Sequence, residues 1–279
     1  MAKPIRTGSG FRVLQSRAWL LTLALLLIPG IPQAQEPDDD HDHGHLHFSH
    51  PLVTESPSPD TKIRLDYLAT NISNGPGLHE NTIRVEGEYA FTHSVSLALV
   101  TPFTFRTAPG NARTSGFGDM ELSLKAASLR FGEKGVLLGG GLSVGIPTGS
   151  DVKDIGSSHI VELEPFIDAG YKHDALELVS FARLSSAIHR RSGEDAERNL
   201  AFDFSALYRI LPTVEGLIEL TTARSLTAPD AGAPETSIAP GLKLYPFPNK
   251  QIMFGASFEL GTGAIHSRQT VLLSGFYHF

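Results

Sequence analysis

The sequence predicts an all-β fold: a transmembrane antiparallel up-and-down β-barrel of about 12 strands, entered through a disordered His/Asp-rich N-terminal arm. Three observations carry this. The chain opens with an export signal, its body alternates apolar and ionic residues with period two, and its connections alternate between short and long.

The export signal comes first. Lys3, Arg6, Arg12 and Arg17 precede an apolar run from Ala18 to Ile31, and Pro32-Gln33-Ala34 follows. A basic start, a short apolar stretch and a small closing residue describe a secretory signal peptide. The run is 14 residues long, whereas a helix needs about 20 apolar residues to span a bilayer. Cleavage is expected after Ala34, which makes residues 1–34 the signal. Its loss removes four basic groups and no acid, so the formal charge moves from −7 to −11. An acidic chain of this kind does not advertise nucleic-acid binding. There are no cysteines, which excludes disulfides, thiolate metal sites, a cysteine nucleophile and a lipidated N-terminal cysteine.

Residues 35–60 follow, with Asp and His alternating before Pro and Ser take over. No apolar period develops, and such a composition cannot bury enough surface to order itself. The segment reads as a disordered periplasmic arm that can tuck into a lumen. His41, His43, His45, His47 and His50 stand beside four consecutive or near-consecutive aspartates, Asp38, Asp39, Asp40 and Asp42. Neutral imidazole binds Zn²⁺, Cu²⁺ or Ni²⁺, and nearby carboxylates concentrate cations. The spacing matches no closed tetrahedral cage. The plain alternative is a solvated polar tail, and no cofactor is required by anything else in the chain.

Residues 61–279 carry the barrel. Ile63, Leu65, Tyr67 and Ala69 share a parity opposite to Lys62, Arg64 and Asp66. Further on, Ile83, Val85, Tyr89 and Phe91 oppose Arg84, Glu86 and Glu88, and Met120, Leu122 and Leu124 oppose Asp119, Glu121 and Lys125. Residues two apart share a strand face, so each segment has one oily side and one ionic side. The segments fall near 61–70, 81–91, 95–105, 117–130, 136–147, 159–171, 175–187, 198–209, 214–224, 236–246, 251–260 and 268–279. Their lengths bracket the ~9–11 residues of a tilted membrane strand. In lipid every backbone amide needs an internal partner, and strands provide that only when the sheet closes. A soluble sandwich hiding the same faces is the rival fold, but it would have no reason to alternate loop lengths as an outer-membrane barrel does. The last strand alternates to a terminal Phe279, which fits the signal read by the outer-membrane assembly machinery.

With oily faces outward, the ionic faces surround the axis. Asp119, Glu121, Lys125, Arg84, Glu86, Glu162 and Glu164 are the expected lumen-lining residues. Two readings follow: a polar conduit with cation preference, or a structural barrel whose lumen is filled by ion pairs between strands. No catalytic set is expected. Ser73-Asn74-Gly75 reads as a hairpin turn of turn-forming residues rather than a catalytic serine motif, no Gly-x-Ser-x-Gly elbow or His-Glu-x-x-His helix is present, and Gly139-Gly140-Gly141 lacks a phosphate-loop lysine.

Residues 116–125 (GFGDMELSLK), residues 145–149 (GIPTG) and the closing strand to Phe279 resemble the outer-membrane transporters named after the meta-cleavage pathway of phenol degradation. The likeness spans most of 61–279 and leaves 36–60 uncovered. It implies a porin-like barrel that passes small solutes, often aromatic or hydrophobic molecules, and it brings over no binding residues. A His-rich start before such a barrel is also similar to proteins of heavy-metal handling. That likeness implies the alternative of a metal-linked outer-membrane protein whose arm binds or senses divalent cations.

Overall fold

The computed structural model describes residues 46–73, 77–108, 110, 112–131, 135–189, 197–227, 234–262 and 267–279. The signal segment, cleavage bond, residues 35–45 with His41, His43 and His45, and Asn74-Gly75 lie outside the described residues. Among the described residues no helix is long and apolar enough to cross a membrane.

Thirteen strands form one antiparallel sheet. They are β1 (Lys62–Ser73), β2 (Leu78–Thr92), β3 (Val95–Thr107), β4 (Arg113–Phe117), β5 (Met120–Phe131), β6 (Val136–Ile146), β7 (Val161–His173), β8 (Leu176–His189), β9 (Arg198–Leu211), β10 (Val214–Ser225), β11 (Glu235–Leu244), β12 (Ile252–Thr262) and β13 (Ser267–His278). Each pairs with its sequence neighbours, except that β4 and β5 pair with β3 rather than with each other, and β1 pairs with β13 from Lys62↔His278 to Ser73↔Ser267. That last ladder removes both sheet edges, and the barrel is closed.

β4 and β5 are two pieces of one stave, so the barrel has 12. The outer half of β3 pairs with β4 (Phe103↔Phe117) and the inner half with β5 (Val100↔Glu121). Sequence patterning assigned most of β4 to a loop. The break has a local cause: Pro102 cannot donate to a ladder, and it sits where the stave bends. Gly118 donates its N–H to the Pro102 carbonyl at 3.1 Å. A Cβ at residue 118 would meet the Pro102 ring at 2.8 Å, so glycine lets the two backbones approach.

The alternating pattern points as its chemistry demands. Leu65 is 53% exposed, while Arg64 and Asp66 on either side are 2% and 0% exposed. Phe204 and Ser205 repeat the contrast at 42% and 0%. The aliphatic and aromatic face is therefore outside, where only hydrocarbon can receive it without cost, and the ionic face is inside. Aromatic pairs such as Tyr89–Phe91 and Tyr277–Phe279 sit edge to face on the exterior near the strand ends, as interfacial girdles do.

The end carrying Lys62 and Phe279 also carries the tight turns between β2 and β3, β7 and β8, and β9 and β10. Short turns mark the periplasmic end of such barrels. The longer β3–β4, β6–β7 and β8–β9 connections lie opposite.

Residues 46–60, read from composition as part of a disordered arm, lie instead inside the barrel at the periplasmic end. Phe48 and Leu52 are 0% and 1% exposed, packed with Leu137, Val179, Leu207 and Met253 from the inner wall. Composition misled because the segment has no core of its own and borrows one. Burying two such side chains contributes roughly 1.5–3 kcal/mol each. The wall is cut to receive them. At residue 170 a Cβ would meet the Phe48 ring at 2.6 Å, and at residue 255 it would run into Leu52.

Candidate functional site: a plugged lumen

The inner wall is polar at intervals, and those polar groups grip the backbone of the plug. The Glu219 carboxylate on β10 accepts N–H groups from Leu52, Val53 and Thr54 at 2.9–3.2 Å. Three successive amides aimed at one anion form a concave binding nest of the kind that captures anions. Ser205 Oγ completes it, donating to Glu219 at 2.9 Å and lying 2.6 Å from Thr54 Oγ1. On the opposite wall Arg64 donates to the Leu52 carbonyl, and Lys125 donates to the Ser56 carbonyl at 2.9 Å. Ser49 donates its N–H to Glu177 at 2.7 Å. A segment without secondary structure can be buried only if its amides find partners. Here the barrel's ionic face supplies them.

The same wall is ion-paired within itself. Lys62 Nζ is 3.0 Å from Glu86 and 2.5 Å from Glu88, and Lys243 is 2.5 Å from Glu215. Arg64 and Arg84 flank Asp66 at 2.8 and 3.2 Å. Breaking one partner of such a buried pair leaves an uncompensated charge, which is costly.

Beyond the plug lies a cavity of about 210 Å³. Leu52, Val53 and Glu55 form its floor. On its β7–β8 wall Phe166 and Phe181 stand at a ring separation of 4.9 Å. Beside these rings on the same wall the lining is ionic: Arg183, the ladder partner of Phe166, is 2.9 Å from Asp203 on β9 and 3.9 Å from Glu164 on β7. Gly141 makes room, because a Cβ there would run into the Phe166 ring; Gly139-Gly140-Gly141 thus has a packing role.

Of the expected lumen residues, Glu121, Lys125, Arg84, Glu162 and Glu164 line this cavity. Two do not. Glu86 is fully buried against Lys62 and Arg84, because its neighbours on β1 and β2 enclose it beside the plug. Asp119 lies at the β4–β5 break and holds the β6–β7 connection, accepting N–H groups from Gly149 at 3.1 Å and Ser157 at 2.6 Å. Gly156 there has φ +66°, and a Cβ would meet the Asp119 carboxylate at 2.6 Å. Sequence reasoning missed Phe166 and Phe181. Their signal was parity alone: each shares the inward phase of its strand.

In the β6–β7 connection, His159 Nδ1 lies 3.1 Å from Asp151 and 3.5 Å from Ser157 Oγ. Hydrogen bonding by Ser158 and His159 lowers the Asp151 carboxyl to about 2 against slight desolvation, Ser158 contributing most. A nucleophile–base–acid relay needs serine and aspartate on opposite ring nitrogens. Both partners here use Nδ1, so this set is a loop brace.

At the periplasmic mouth a second cluster forms. The Asp60 carboxylate oxygen Oδ2 is 2.8 Å from His50 Nε2, 2.8 Å from His278 Nδ1 and 3.4 Å from His47 Nε2. Burial raises the Asp60 carboxyl, but hydrogen bonds from His278, His47 and His50 outweigh it and hold the group far below the carboxylate range. His50 moves down from its usual value, first through burial and then through the Lys62 charge. The Lys62 ammonium lies 3.3 Å from His50 Nδ1. An ammonium only donates, so Nδ1 accepts and Nε2–H points to Asp60.

A closed barrel with a lipid-compatible exterior and a polar, half-filled interior defines an outer-membrane β-barrel protein. Solved structures agree on the fold. The chain is similar to the COG4313 outer membrane channel from Pseudomonas putida F1, at 15% identity and TM-score 0.60 over 85% of this chain and 98% of that one. It is also similar to the NanC porin, at 11% identity and TM-score 0.55 over 77% and 100%. The translocator domain of autotransporter NalP from Neisseria meningitidis matches at 11% identity and TM-score 0.52 over 79% and 88%. No family model matches the sequence, and no curated protein matches it.

Proposed function

We propose that this protein is an outer-membrane channel for small solutes and belongs with the phenol meta-cleavage transporters it resembles. The observation that carries the reading is the cavity of about 210 Å³ inside a closed barrel, where the rings of Phe166 and Phe181 lie beside the Arg183–Asp203 ion pair on the β7–β9 wall. Arg183 lies 5.6 Å from the Phe181 ring centroid, a cation–π arrangement. Such a lining favours a small molecule with an aromatic or hydrophobic body and one polar edge. The fold shared with an outer-membrane channel and a porin supports a passage role in general.

The filled-lumen reading has its own support at the periplasmic end, where residues 46–60 and the buried ion pairs occupy the axis. Passage then requires the plug to shift. The test is uptake into proteoliposomes of a small phenolic solute against a sugar of equal size, together with planar-bilayer conductance. Preferential entry of the phenolic compound, reduced several-fold by Phe181→Ala, is expected. Equal exclusion of both, with no conductance, leaves a structural barrel.

A further inference from the structure

The cluster at the periplasmic mouth is built from parts distant in sequence: His47, His50 and Asp60 from the plug, and His278 from the end of β13. We propose that His47 Nε2, His50 Nε2 and Asp60 Oδ2 of the plug form a binding site for one divalent transition-metal ion of the Zn²⁺, Cu²⁺ or Ni²⁺ class, braced from the barrel by His278.

The geometry fits. These three donor atoms all lie within 4.8 Å of one another. Metal–N and metal–O bonds of about 2.0–2.1 Å set tetrahedral donors roughly 3.3 Å apart. The His47–Asp60 separation of 3.4 Å matches as it stands, and the His50–Asp60 separation of 2.8 Å opens by about half an ångström when a metal replaces the proton between them. Two imidazoles and a carboxylate suit first-row divalent ions rather than Ca²⁺ or Mg²⁺. His278, donating to the same Asp60 oxygen at 2.8 Å, holds the carboxylate from the barrel wall, as outer-shell partners do for metal ligands. His47 has a half-exposed side chain (49%) while that of His50 is 3% exposed, so the ion has both an entry path and a dry side.

One contact opposes the ion and sets its affinity. A metal on His50 Nε2 places the ring proton on Nδ1, facing the Lys62 ammonium at 3.3 Å. Lys62 can give up that contact because Glu86 and Glu88 already hold it at 3.0 and 2.5 Å. The site stands independently of what the pore conducts. It also differs from simple capture by the His41–His45 tract, since Asp60 and the barrel wall take part.

The experiment uses the chain from residue 35 in detergent, titrated with Zn²⁺ alone by calorimetry. The variant His41→Ala/His43→Ala/His45→Ala is expected to keep one ion per chain. On that background Asp60→Asn and His47→Gln should each weaken it by about tenfold or more. His47→Gln guards against loss of plug docking, because the His50 and His278 contacts to Asp60 remain. X-ray absorption should show imidazole scattering with nitrogen and oxygen donors at about 2.0–2.1 Å. Loss of stoichiometric binding in the triple variant, unchanged affinity in His47→Gln, or a shell of water oxygens alone would overturn the proposal, leaving a hydrogen-bonded latch.

Discussion

The carboxylate of Glu219 accepts the backbone N–H of Val53 through both of its oxygens, each at 3.0 Å. One acidic side chain on the tenth strand thus fixes a residue 166 positions earlier in the chain, and with it the segment that fills the barrel.

Replacing Glu219 by Gln substitutes an amide donor for one acceptor oxygen and leaves plug amides facing it unmet. An unsatisfied buried donor costs about 1–3 kcal/mol, and 2 kcal/mol raises the undocked population by roughly 30-fold. Glu219→Gln should therefore increase conductance or its open fraction, with faster proteolysis within residues 46–60. Unaltered conductance and proteolysis would show that the nest does not hold the plug.

Thr54 and Ser205 place their hydroxyl oxygens 2.6 Å apart, and the chain has no cysteine of its own. Thr54→Cys/Ser205→Cys should form a disulfide that ties the plug to β9. Oxidised protein should conduct no more than wild type and should resist the Glu219→Gln increase; a reductant should reverse both. A thiol pair that stays free under oxidant would contradict the docked position.

His50 has a folded-state value below its ordinary one, so the sign of its linkage is set. The unfolded or undocked segment binds protons below about pH 6.5, the docked one does not, and docking weakens as pH falls through that value. Asp60 loses its contribution at lower pH: its folded value is also lowered, so its stabilisation is full above about pH 4 and falls away progressively below that. Plug release, read by proteolysis or conductance, should therefore begin between pH 6.5 and 5. His50→Gln should flatten this profile, and an identical profile in that variant would exclude His50 as its source.

Asp168 faces the lumen, 5% exposed, and neither carboxylate oxygen has a hydrogen-bond partner among the described residues. An uncompensated buried charge is unfavourable. Asp168→Asn should raise thermal stability, by about 1 kcal/mol or more, measured by the temperature at which heat-modified gel mobility changes. A lower transition temperature would mean that Asp168 pairs favourably with Lys125 across the lumen.

The barrel was legible because lipid imposes a rule on sequence. Leu65 must face hydrocarbon and Arg64 must not, and only period two satisfies both in a strand. Glu121, Glu162 and Glu164 followed from the same parity. Asp119 did not, because parity cannot reveal that a stave breaks at Gly118 and turns the carboxylate toward a loop.

The sequence alone determined the strands apart from β4, their faces and the closure, since each rests on local alternation and on the need to satisfy every backbone amide in a membrane. Only the tertiary structure decided the fate of residues 46–60. Phe48 meets Gly170, the amides around Val53 meet Glu219, and His47 and His50 meet Asp60 beside His278. These partners are remote along the chain, and a segment that borrows its core from a distant wall carries no local pattern to announce it.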